Sequence, residues 1–254
     1  VGIGRSKTLT AHHLDTSTQP PIATSFATPH PLNQSPSVTP VISPQRPQLL
    51  EPLPIHFDEQ AHRYCWTPTG HWMKHSITKV INTKSQKEME QINKTKDGPQ
   101  GWALRGTTIH RFMELFLTTG DPGELGPWAE YIEPAIKHRL WKSYEPVACE
   151  YRVADLQRSI GGSFDALLRN KDDGRLVLLD FKSQSNADAK KYSVAKQLGG
   201  YTHLLQQHHP LIIHKLIAFW IRPGACELST HDVDESVEAY QAARDFYLDT
   251  HVPF

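Results

Sequence analysis

Net charge, cysteine and long apolar runs are all scarce in this 254-residue chain. Lys+Arg and Asp+Glu number 27 each, so the whole chain exerts no global attraction on nucleic acid or an anionic membrane. Any charge that binds a polyanion must therefore be local. The three cysteines, Cys65, Cys149 and Cys226, are odd in number and far apart, which excludes a disulfide framework and a zinc knuckle. No apolar run approaches the roughly 20 residues that span a bilayer. A soluble, intracellular protein in a reduced compartment, with no membrane partner, is expected. The pattern GxxxxGK[ST] is absent, so ATP-driven unwinding is not encoded. The opening stretch is Ser/Thr-rich and poor in acids, as organellar leaders are, but it carries few arginines.

Proline is abundant, and it is concentrated. From Thr16 to Pro54 the chain is dominated by Pro, Ser, Thr and Gln, as in QPP, SPSVTP and SPQRPQ. Such a segment buries too little apolar surface to offset chain ordering, about 1 to 2 kcal/mol per residue for the backbone. Residues 1–54 therefore read as a disordered tail and 55–254 as one folded domain.

The run IHFDEQAHRYCW, the turn TPTGHW with Pro68 and Gly70, and KHSITKVI predict a hairpin leading into a short helix. In GWALRGTTIHRFMELFLTTG, Ile109, Phe112, Met113 and Phe116 recur at helical spacing, and Gly120 is the stop. A second helix is expected over Pro127 to Leu140. The period then changes to β: PVACEYRVADL, IGGSFDALLRN and RLVLLDFKSQ, with a KDDG turn between the last two. NADAKKYSVAKQLGGYTHLLQQHH predicts a helix of five or six turns despite Gly199 and Gly200. The strands HKLIAFWIR and CELSTHDV follow, and a last helix runs from about Asp234 to Leu248. This order gives an α/β class with a mixed β-sheet flanked by helices.

Two aspartates stand where strands carry them, Asp165 in GGSFDALL and Asp180 in VLLDFKSQ. Hard divalent cations choose carboxylates. Asp180 and Lys182 are two positions apart on a strand and so project from one face, while Phe181 points into the core and leaves its carbonyl for a metal shell. Such a trio suits phosphodiester hydrolysis, which needs a cation, an activated water and a donor for the developing anion. The same spacing also suits a plain surface ion pair, and spacing alone leaves both readings open.

GGSFDALL, VLLDFK and the QLGGY of the following helix, together with RGTTIHRFMELF and KHSITKVI upstream, resemble the PD-(D/E)xK nuclease superfamily. The resemblance is to its RecB-like exonuclease branch, with phage exonucleases and mitochondrial genome maintenance exonucleases, and covers about Phe57 to Trp220. His75 stands where proline is usual in that entry motif. The resemblance implies a restriction-endonuclease-like core, with Asp165 and Asp180 as metal-binding acids, Lys182 as the catalytic lysine and His110 as a further metal ligand. It implies Gln197 and Tyr201, one helical turn apart, as DNA-backbone contacts or supports for the lysine. Glu114, one turn beyond His110, would orient that ring. Glu150 in ACEYRV is the first strand's carboxylate; it could approach the metals, but an exposed strand position is the stronger reading. Mg2+ or Mn2+ is the implied cofactor. An iron–sulfur cluster, held by four cysteines in some relatives, is not expected here.

Arg105 and Arg111 flank His110, and Lys190, Lys191 and Lys196 lie on the expected Gln197 helix, so local cations approach the pocket. Trp66, Trp72 and Trp102 are candidates to stack unpaired bases, although core packing suits most of them. The function expected is a metal-dependent DNA exonuclease of replication, recombination or repair, with DNA and a helper protein as partners. A catalytically silent DNA-binding scaffold of the same fold and an RNase are the alternatives.

Overall fold

The computed structural model describes residues 50–98, 101–186 and 188–251. Most of the proposed tail, residues 1–49, lies outside the described residues. Ordered contacts begin ahead of Ile55: the Leu50 N–H donates to the Val147 carbonyl, and the Tyr151 hydroxyl donates to the Glu51 carbonyl.

The N-terminal hairpin forms a small antiparallel sheet of β1 (Ile55–Asp58), β2 (Arg63–Trp66) and β3 (His71–Trp72). Gly70 closes its second turn with φ +69°, a conformation that lacks a steric penalty only for glycine. The chain then enters the main sheet through β4 (His75–Ser76), and Ser76 caps the short α1 (Ile77–Val80) by accepting from the Lys79 N–H. A capping box of Ser85 and Glu88 starts the exposed α2 (Gln86–Asn93).

Helix α3 (Trp102–Thr119) ends at Gly120, which adopts φ +87° and donates its N–H to Phe116. Its buried stripe is Ile109, Met113 and Leu117, at i, i+4 and i+8. Each such side chain contributes about 1.5 to 3 kcal/mol through burial, and together they fix the rotation that turns His110 toward the sheet. The single helix expected over 127–140 is instead a 3-10 turn, α4 (Ala129–Ile136) and α5 (Leu140–Ser143). The chain bends between them, where His138 Nδ1 accepts from the Leu140 N–H and takes a helical donor out of the ladder.

The main sheet contains β4, β5 (Tyr144–Asp155), β6 (Ile160–Asn170), β7 (Leu176–Ser183), β8 (Ile213–Arg222) and β9 (Ala225–His231). It is mixed: β4–β6 and β7–β8 are parallel, and the β5–β6, β6–β7 and β8–β9 pairs antiparallel. One edge of β6 is taken by β5. The other is shared, with β4 pairing at residues 160–161 and β7 at 166–169. Between those two ladders residues 162–165 have no strand partner on that edge, and the candidate site opens there.

Helices cover both faces. Helices α1, α6 (Ala195–Gln206) and α7 (Val233–His251) pack with Phe164, Leu178 and Trp220 on one face, and α3, α4 and α5 with Leu168, Phe181 and Phe219 on the other. This is the mixed sheet flanked by helices that the sequence predicted. Helix α6 starts later than predicted and is half the expected length, because Asn186 and Ser193 side chains accept from the Asp188 and Ala195 N–H groups and favour turns. Gly199 and Gly200, which looked like blemishes, are where α6 meets α7. A Cβ on Gly199 would fall 2.0 Å from the Ser236 carbonyl oxygen, and one on Gly200 2.8 Å from the Tyr240 ring.

Candidate active site

Beyond Leu179 the ladder between β6 and β7 stops, and the next facing pair is Asp165 and Asp180. Asp165 replaces the missing ladder bond with its side chain, Oδ2 accepting from the Phe181 N–H at 2.5 Å. Its other oxygen, Oδ1, lies 3.2 Å from Nδ1 of His110 on α3. Nε2 of the same ring is 3.0 Å from the Phe181 carbonyl, so a strand and a helix are tied together through one imidazole. The Phe181 carbonyl, expected to be free for a metal, is thus engaged by His110, while the Phe181 ring is buried in the α3-side core.

Asp180 and Lys182 project together on the opposite side of β7. Lys182 Nζ is 2.6 Å from Asp180 Oδ2, and Gln197 Nε2 donates to Asp180 Oδ1 at 3.2 Å. Gln197 also donates to the Tyr201 hydroxyl at 2.8 Å, and Tyr201 is buried against Phe164. The QxxxY pair therefore touches the acid, and the acid holds the lysine. Both aspartates are buried, Asp165 to 6% and Asp180 to 1% exposure, and are not at a solvated edge.

Glu150 departs most from expectation. Simple alternation along β5 would send it to solvent, yet it is half-buried and has φ +45°, left-handed for a residue with a Cβ. That conformation costs about 1 to 3 kcal/mol and concentrates at functional sites. It interrupts the β5–β6 pairing between Cys149↔Ala166 and Tyr151↔Phe164, opposite Asp165. As a result His110, Glu150 and Asp165 each offer a ligand atom, all within 4.8 Å of one another. Only the strain at Glu150, which no periodicity encodes, would have singled it out.

Glu114 does not orient His110. Both ring nitrogens are already engaged, by Asp165 and Phe181, so the residue one turn on has nothing to hold. It lies exposed and raises the negative potential at Glu150 instead. Of the flanking cations, Arg111 lines the adjoining cleft. Lys191 pairs with Glu227, and Lys196 faces a separate groove beside α7.

Charge in the site is strongly coupled. Burial, then the neighbouring Asp165, pushes Glu150 up to about 8. Burial opposes charge on His110, but Asp165 outweighs it and lifts the ring to about 9. Asp165 is buried too, yet His110 and Lys182 hold it below the ordinary carboxylate value. For Asp180 burial wins over Lys182, and its pKa rises to about 6. Lys182 also loses solvation, but Asp180 raises it above the usual lysine value, so it is charged at neutral pH. One imidazole and two carboxylates, crowded until one acid retains its proton, form a donor set that suits a hard divalent cation. A cation there would relieve the repulsion that now raises Glu150.

Residues 128–247, a little under half of the chain, match the family model for the PD-(D/E)XK nuclease superfamily. The matched span includes Glu150, Asp165, Asp180, Lys182, Gln197 and Tyr201, while His110 lies before it. That match, with the His110, Glu150 and Asp165 cluster, suggests metal-dependent nuclease activity. No curated protein matches the chain. Among solved structures the chain is similar to one titled "Crystal structure of SSO0001", at 15% identity and a TM-score of 0.37, over 70% of this chain and 84% of that one. Among the described residues no helix is long and apolar enough to cross a membrane.

Proposed function

We propose that this chain is a Mg2+- or Mn2+-dependent deoxyribonuclease, an exonuclease of the RecB-like kind, acting on DNA ends or single strands in replication, recombination or repair. The observation that carries the reading is the grouping of His110, Glu150 and Asp165 within 4.8 Å beside the buried Asp180–Lys182 pair. His110, Glu150 and Asp165 would hold the cation, with Asp180 next to them. When bound, the cation supplies Lewis-acid neutralisation of phosphate charge and a more acidic water.

The chain's own groups divide the remaining work. Lys182 has a raised pKa and is charged through the neutral range, so it serves as a donor to the phosphate or the attacking water and not as a base. Its ammonium lies 2.6 Å from one Asp180 oxygen and carries three N–H groups, so donors remain for substrate. Gln197 fixes the second Asp180 oxygen, Tyr201 fixes Gln197, and so the ammonium is positioned before substrate arrives. His110 braces Asp165 against β7 through the Phe181 carbonyl.

The test is digestion of end-labelled linear duplex DNA, closed circular DNA, single-stranded DNA and RNA, with Mg2+, Mn2+ or EDTA. The reading predicts cleavage of linear and single-stranded DNA that EDTA abolishes. Cutting of closed circles would contradict the exonuclease assignment, cutting of RNA alone the choice of DNA, and inertness with every metal the enzyme itself.

A further inference from the structure

A cleft of about 780 Å3 opens on the α3 side of the site, and His110 and Glu150 form its inner end. Its outer walls are unlike that end. The β1–β2 hairpin contributes Phe57 and His62, and the first turn of α3 contributes Trp102. The Trp102 side chain is held in place by its indole N–H, which donates to the Ile92 carbonyl at 3.0 Å, yet the residue remains 38% exposed. Phe57 packs on Tyr64 with centroids 4.6 Å apart, and the His62 ring lies 6.0 Å from Phe57. His62 sits in the hairpin turn at φ +48°. One half-exposed tryptophan is ordinary by itself; Trp102 differs in that its fixed ring lines the same cleft as Phe57 and His62, and that cleft ends at the metal-ligand cluster.

Charge completes the pattern. Lys96 and Arg111 line the same cleft beside the carboxylates Glu59 and Glu114, and none of the four forms an ion pair among the described residues. On the same helix as Arg111 the cleft is lined by Ala103 and Gly106, where an added Cβ on Gly106 would meet only Ser183 Oγ at 4.0 Å. Small residues on the helix keep that wall low and the passage to His110 open.

We infer that this cleft is a stacking subsite for unpaired DNA, with Trp102 as the residue that sets single-strand preference. The inference rests on the nuclease reading and names the substrate form which that site takes. Rings bind nucleic acid through base faces, and a duplex presents base edges, since its faces are covered by neighbouring pairs. A cleft with aromatic walls that ends at the metal-ligand cluster, with Lys96 and Arg111 among its lining carboxylates, therefore suits a strand whose bases are splayed onto the rings and whose phosphates run toward those two cations and clear of Glu59 and Glu114.

The test is binding by the full chain, in EDTA to suppress cleavage, of a fluorescein-labelled oligothymidylate and of a duplex of equal length. Wild type is expected to favour the single strand by at least about tenfold. Trp102→Ala should weaken single-strand binding by about five- to 150-fold, the range that loss of one stacked base gives, and leave the duplex unchanged. Trp102→Phe keeps a ring and should recover most of the loss, which separates stacking from a folding defect; unchanged circular dichroism checks the same point. Arg111→Gln should weaken both ligands and flatten the salt dependence. Undiminished single-strand binding by folded Trp102→Ala, or no recovery by Trp102→Phe, overturns the inference even if the enzyme cleaves DNA. The Trp102 pattern in a chain inert with every metal would uphold the cleft and refute the nuclease.

Discussion

Replacing Glu150 with glutamine probes the crowded acid pair, and the expected size of the effect follows from two pKa values. In the metal-free fold Glu150 sits at about 8 and His110 at about 9, against ordinary values of 4.5 and 6.5. Both carry protons at pH 7, and both must lose them to ligate a cation, so protons and cations compete. Affinity for Mn2+ must therefore rise with pH until both groups are deprotonated. Each unit of pKa is worth 1.36 kcal/mol, or tenfold, so wild-type affinity should drop about 50-fold from pH 8 to pH 7. Glu150→Gln has only the His110 proton to displace and should drop about ninefold over the same step. Calorimetric titration with Mn2+ at pH 7, in buffers of different ionisation enthalpy, counts the protons directly. Close to two should be released by wild type and close to one by the variant. Equal proton release by the two proteins, or none by wild type, would refute the proposed ligand set.

The same acid links stability to pH. A raised folded pKa adds stability that is full below 4.5 and is lost as pH rises through about 8, so the melting temperature of metal-free wild type should fall relative to Glu150→Gln across that window. Thermal melts at pH 5 and pH 8 check it. Gly199→Ala should cost more than about 3 kcal/mol, because its Cβ would meet backbone at Ser236 that cannot yield without parting α6 from α7. Urea unfolding measures that loss. A chain beginning at residue 55 should be about 1 to 2 kcal/mol less stable than one beginning at residue 50, since it lacks the Leu50–Val147 and Glu51–Tyr151 bonds. Equal urea midpoints for the two would show those bonds to be incidental.

Local rules made part of this molecule legible. The spacing of Asp180 and Lys182 predicted a shared face, and they form an ion pair there. Apolar recurrence from Ile109 predicted α3, and Gly120 its stop. The four residues His110, Asp165, Asp180 and Lys182, more than seventy positions apart at the extremes, lie around one strand end. What escaped was set by long-range geometry. Glu150 reaches the site only because a left-handed residue breaks the alternation of β5, and Glu114 is idle because two partners 55 and 71 positions from His110 saturate its ring. Helix α6 lost its predicted start to side-chain turns at Asn186 and Ser193, where composition favoured helix but local hydrogen bonds did not.

Single-turnover cleavage of end-labelled DNA by wild type and Lys182→Ala, with saturating Mn2+ and with EDTA, tests the central claim most directly. The substitution removes one preorganised donor while His110, Glu150 and Asp165 keep their places, so the rate should fall about 10²- to 10³-fold with DNA binding retained. EDTA should silence both proteins. Wild-type cleavage that survives EDTA, or that persists undiminished in folded Lys182→Ala, would contradict the account.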